Sequence, residues 1–137
     1  MARDGIETDE TRWPIVVHRT IGIPSEDDVD RFIDAANAHL QRQEPYVVVF
    51  DNTHAGRVPA YMRQRASDWL RENAPRLSRY CLGTALVFKG AALRFVMTGV
   101  MLVASHPVPH EVCGTEQEAL RWASERLRSA ISRGAFG

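Results

Sequence analysis

An α/β fold is predicted by three observations. Strand-like and helix-like segments alternate along the chain. The run Tyr46 to Phe50, "YVVVF", is apolar at every position, the mark of a strand covered on both faces and therefore central. The intervening helices carry their own start signals. Together these predict a mixed, mostly parallel sheet of four to five strands with about four flanking helices, its parallel neighbours joined by right-handed crossovers.

Residues 1–11 are polar and acidic and are expected as a flexible segment or an edge strand. A single domain over residues 12–133 follows. In "RWPIVVHRTIG", Ile15, Val16 and Val17 favour the pleat. Pro14 has no backbone donor and belongs at a strand start or an edge. The next segment opens on Ser25 as N-cap with Asp28 three residues on, the spacing of a capping box. Acids at positions 26, 27 and 28 suit the positive end of a helix dipole. Val29, Phe32, Ile33, Ala36 and Leu40 share one helical face. Pro45 stops that helix, and "YVVVF" follows.

"DNTHAGRV" reads as a loop. Pro59 then opens a second helix at its first turn, where a missing N–H is tolerated. Its inner stripe is Met62, Ala66, Trp69, Leu70 and Ala74. "YCLGTALVFK" is a buried strand, "GAALRFVMTGVMLVAS" a third helix, and Pro109 to Cys113 a short strand. The last helix has Thr115 as N-cap, Glu118 to close its box, and Ala119, Trp122, Ala123, Leu127 and Ala130 inside.

The chain has 137 residues with 45% hydrophobic and 25% charged residues, enough for one core without staples. Net charge is zero, so the whole is no polyanion binder. Residues 1–44 hold ten acids and five bases, and residues 45–137 hold seven acids and twelve bases. Either the two halves neutralise each other across the fold, or they offer unlike faces to different partners. Cys81 and Cys113 show no metal-ligand spacing and are expected as buried free thiols in a reducing cytosol. "MARDGIETDE" lacks the features of a signal peptide. Residues 85–105 are long enough to span a bilayer, but Lys89 and Arg94 interrupt them, and a charge at mid-span costs roughly 2.5–3.5 kcal/mol. A cytoplasmic protein is expected, with contact to a membrane only at its periphery.

Several stretches together, "IPSEDDVDRF", "YVVVFDNT" ending its strand at Asp51, "RQRASDWL", "LGTALVF" and "EVCGTEQEALRWASERL", resemble the SpoIIAA-like branch of the STAS proteins, over residues 12 to 131 or so. The resemblance implies a small sheet flanked by helices, acting as a non-enzymatic binding module toward regulatory proteins. It also implies that some relatives are suited to a hydrophobic ligand or a membrane surface. STAS switches carry a phosphorylatable Ser or Thr in a turn after the central strand. Here that stretch is "DNTHAGRVPAYMRQ", with Thr53 its one aliphatic hydroxyl and no serine before Ser67.

Candidate sites follow from the residues. Asp51, Asn52, Thr53, His54 and Arg57 stand at the carboxyl end of the central strand, where open α/β sheets gather ligands. The same residues also cap turns. A phosphate on Thr53 would have Arg57 as counter-charge and Asp51 against it. An enzyme would need Asp51 and His54 as an orienter and base; no catalytic residue is assigned. Arg63, Arg65 and Arg71 form the centre of a basic patch suited to an acidic partner or anionic headgroups. No aromatic interleaving or nucleic-acid motif accompanies it, which argues against DNA or RNA. His106 and His110 bracket "PVP", and the prolines forbid a helical metal site, so a surface loop is expected. No metal and no cofactor are predicted.

The third helix is the most unusual element. Leu93, Phe95, Val96, Met97, Val100 and Met101, with Leu102 and Val103, leave almost no polar face. A helix apolar all round is expected to be buried on every side. Either the domain's own core encloses it, or a second subunit, a regulatory partner or a lipid-like ligand does. The expected mode of action is protein–protein contact, with a homodimer included; a carrier or sensor of a hydrophobic small molecule is the alternative.

Overall fold

The computed structural model describes residues 3–103 and 106–134. Five strands form one sheet in chain order: β1 (Gly5–Arg12), β2 (Ile15–Gly22), β3 (Tyr46–Ala55), β4 (Cys81–Val87) and β5 (His110–Cys113). β1 runs antiparallel to β2, and every other neighbouring pair is parallel. The helices are α1 (Glu26–Gln41), α2 (Ala60–Tyr80), α3 (Ala91–Val103) and α4 (Glu116–Ser132). The architecture is thus the predicted mixed, mostly parallel α/β sheet.

Strand alternation divides the core into two layers. Val16 and Val48 pack with Leu40 of α1, Leu77 of α2, Tyr46, Cys81 and Val108. Ile15, Val17, Val47, Val49, Ala85 and Val87 pack with Ala119 and Ala123 of α4. Each fully buried valine contributes on the order of 1.5–3 kcal/mol, so the central strands dominate stability. Gly83 of β4 has a packing reason. A Cβ there would lie 2.6 Å from the Trp122 indole, so the small residue lets α4 approach.

Local signals set the helix starts. The Ser25 hydroxyl accepts from the Asp28 N–H at 3.1 Å, and the Asp28 carboxylate accepts from the Ser25 N–H at 2.8 Å, the predicted box. In α4 the Thr115 hydroxyl accepts from the Glu118 N–H at 3.1 Å, but the Glu118 carboxylate reaches the Gly114 N–H at 3.3 Å, one residue beyond the cap. α2 opens at Pro59 without a side-chain cap and continues through Pro75. The Trp69 indole N–H donates to the Asn37 side-chain oxygen at 2.7 Å and ties α2 to α1.

Residues 5–12 are an edge strand, one of the two forms their sequence allows, and pairing with β2 satisfies their backbone. One element differs from expectation. Asp51 to Ala55 is strand rather than loop: β3 outruns its apolar stretch because Ile21 and Gly22 of β2 stay paired with His54 and Ala55. The register between Arg19 and Ile21 absorbs an extra β3 residue, a bulge. Finally, α3 lies on the outside, its main sheet contact being β5. The side chains of Leu102 and Val103, and residues 104–105, lie outside the described residues.

Candidate functional site

At the carboxyl end of the central strand Asp51 is buried. Its Oδ1 accepts from the Thr53 N–H at 2.9 Å and the Thr53 hydroxyl at 2.7 Å. This short ring stiffens the bulge in the manner of an Asx turn. It also commits the Thr53 proton to Asp51, so a phosphate on that oxygen would replace a hydrogen bond with repulsion. The Asn52 amide turns back to the Phe50 carbonyl at 3.4 Å. His54 is exposed, and no hydrogen bond joins it to Asp51 among the described residues. The base–orienter pair that an Asp51/His54 enzyme requires is therefore not assembled. Arg57 is exposed. Just before it, the Gly56 N–H donates to the Gly22 carbonyl at 2.8 Å, and a Cβ on Gly56 would lie 3.3 Å from that carbonyl. Two glycines thus draw the ends of β2 and β3 together where a crevice would open.

Beside Asp51, in register with it across the sheet, stands Arg19. Its guanidinium forks onto Glu116 at the start of α4, and also meets Asp9 at 3.2 Å and Glu7 at 3.3 Å. The Glu116 bonds raise the Arg19 pKa further above its ordinary value. Asp9 is held down to about 2, first by its hydrogen bonds from Thr11 and then by Arg19. The hub ties the acidic edge strand to α4 across the end of β2. Sequence reasoning missed it, since Arg19 and Glu116 are 97 residues apart; a charge inside a mostly apolar strand was its one signal.

A second missed cluster lies beneath α1. His18 and His39 are both buried. The His18 Nδ1 meets the Thr8 hydroxyl at 2.9 Å, and its ring stacks on Phe50 and meets the edge of Phe32. The His39 Nε2 meets Glu10 at 3.1 Å. Burial, with the neighbouring His39, pushes the His18 pKa down to about 3. These histidines bind β1 to the core and offer no open face.

The predicted basic patch is largely occupied internally. Arg65 pairs with Asp30, Arg71 pairs with Asp68 at 2.6 Å, and Arg63 donates to the Val58 carbonyl at 2.7 Å. Cys81 and Cys113 are free and buried, and burial raises both thiols to about 11. At neutral pH neither is a thiolate nucleophile.

The six candidate apolar residues of α3 divide by exposure. Phe95 is 82% exposed, Val96 56%, Val100 48% and Leu93 47%, whereas Met101 is buried and Met97 half-buried. The helix rests on its methionines and presents the rest outward. Arg94 tethers it: the guanidinium donates to the Phe88 carbonyl at 3.4 Å, and a Cβ on Gly114 would come within 3.1 Å of it. Among the described residues, nothing beyond its own helix backbone lies within 4 Å of a Cβ added at Gly99.

No protein-family model matches this chain, and neither does any curated protein. Among solved structures it is similar to a Shewanella loihica PV-4 protein of the DUF3478 family, itself described as having a SpoIIAA-like fold. The TM-score is 0.68 at 12% identity, over 90% of this chain and 98% of that one. The chain therefore has a SpoIIAA-like fold, the STAS-type architecture that its sequence resembles. Among the described residues, no helix is long and apolar enough to cross a membrane.

Proposed function

We propose that this protein is a STAS-like binding module that works through protein–protein contact at α3, with a second copy of the chain as the first occupant. The observation that carries the reading is the outward row of Leu93, Phe95, Val96 and Val100. Contiguous apolar surface on a small domain marks an interaction site. Two features favour self-association. From Phe95 to Val103 the helix carries no charge, so two copies meet without like-charge repulsion. The space around Gly99 admits the backbone of an approaching helix. Among the described residues, the Asp51 Oδ1 is engaged by Thr53, which supports a binding rather than a catalytic use of this strand end.

Sedimentation equilibrium of the wild type and Phe95→Asp tests it. The expected result is a wild-type dimer and a folded Phe95→Asp monomer. A wild type that stays monomeric at high concentration removes the homodimer. Binding of that monomer to vesicles of anionic lipid, lost in Phe95→Asp, would favour the second reading, a lipid-facing helix. Exposed Lys89 at the base of α3 is the feature that supports it.

A further inference from the structure

We propose that His106 and His110 form a two-imidazole site for a borderline divalent transition metal, Zn2+ or Cu2+, on the segment that returns the chain from α3 to β5. The prolines do keep this stretch out of a helix, but they do not separate the rings. The two imidazole rings are neighbours, with centroids 5.6 Å apart and planes inclined by 56°. Two imidazoles on one tetrahedral metal, with metal–nitrogen bonds of about 2.0–2.1 Å, have their ring centres roughly 5 Å apart.

The support around His106 points the same way. Its Nδ1 lies 3.1 Å from the Val108 carbonyl oxygen and 3.3 Å from the Val108 backbone nitrogen. With the proton on Nδ1, the ring donates to the Val108 carbonyl and leaves the Nε2 lone pair free. That is the arrangement by which ligating histidines are oriented and held in one tautomer. With the proton on Nε2, Nδ1 accepts from the Val108 N–H instead. Taking up a metal through Nε2 therefore selects the first tautomer, keeping the bond to the Val108 carbonyl and giving up the one from the Val108 N–H. The segment is itself anchored, because the Ser78 hydroxyl of α2 donates to the Pro107 carbonyl at 3.1 Å. His110 sits in β5 in register with Thr84, so one ligand is on the sheet and the other on a pinned turn.

The described residues bring no third His, Cys, Asp or Glu into such a cluster, so water completes the coordination. Nitrogen-only protein ligands suit zinc, copper and nickel rather than magnesium or calcium, and copper binds the more tightly. The buried pair His18 and His39 cannot serve, since both rings are already engaged by Thr8 and Glu10.

Calorimetric titration of tag-free protein with Zn2+, and separately with Cu2+, tests the proposal. One ion per chain is expected, with affinity weakened about tenfold or more in His110→Ala and in His106→Ala. Zn2+ should also raise the melting temperature of the wild type but not of His110→Ala. As a check that needs no variant, Cu2+ added to the wild type should first broaden the amide signals of Val108, His110 and Ser78. Absence of saturable binding, equal affinity in wild type and both variants, or first broadening around His54 would each overturn the assignment.

Discussion

Helices α3 and α4 make an instructive pair. α4 is the more polar, yet it is the one built into the core. Ala119, Ala123 and Ala130 are buried, Trp122 packs over Gly83, and Arg126 donates to the Leu82 carbonyl at 3.0 Å. α3 is apolar nearly all round, yet of its described side chains only Met101 is buried. A helix is placed by the contrast between its faces, not by its mean apolarity. α4 has one face to hide and one to wet. α3 has no wet face, so the monomer covers one side and leaves the other as unfinished surface.

Substitutions on the two helices should therefore act on different quantities. The largest loss of stability is expected at Ala123, which is fully buried against the sheet. Ala123→Asp places an unpaired charge there and should cost on the order of 3–5 kcal/mol in urea denaturation. Next comes Gly83→Ala: the new methyl meets the indole at 2.6 Å, an overpacking worth about 1–3 kcal/mol. Releasing the start of α4 with Glu116→Gln removes charge-assisted bonds to Arg19 that are only half-buried, so about 1 kcal/mol is expected. At the other extreme, Phe95→Asp in α3 should change monomer stability by no more than about 0.5 kcal/mol while abolishing association. A large loss of monomer stability from Phe95→Asp would break the contrast.

Acid provides a separate probe of the packed half. The buried His18 has its pKa lowered from 6.5 to about 3 in the folded chain. Between those values the unfolded chain holds a proton that the folded one lacks. The His18 contribution is thus complete above pH 6.5 and is lost as pH falls toward 3, at roughly 1.4 kcal/mol per pH unit. Asp9 and Asp28, both lowered, act with the same sign at more acidic pH. His18→Phe should flatten the slope between pH 6 and 4, a window set by these shifts, as read by urea midpoints.

What was legible in the sequence was what is decided locally. Ser25 and Asp28 define their cap within four residues, and the apolar run Tyr46 to Phe50 marks its own burial on both faces. What depended on distant partners was not legible. Asp51 to Ala55 has the composition of a turn, and only pairing with Ile21 and Gly22 makes it strand. His18 and His39 carry no periodic signal beyond their place among core residues. Arg19 finds Glu116 only after the whole sheet is assembled. The apolar demand of α3 could be read from its residues, with two alternatives, enclosure by its own domain or by something outside it; which side chains the domain covers depends on contacts with β5 that no local pattern encodes. The closeness of His106 and His110 was hidden by the prolines that rule out the usual helical spacing.

The most direct test of the central claim is amide hydrogen exchange of the wild type across a dilution series, comparing α3 with α4. Protection in residues 91–103 should rise with protein concentration as a second copy covers Phe95 and its neighbours, while α4 stays equally protected throughout. Exchange in α3 that is independent of concentration, in a protein that remains monomeric, would contradict it.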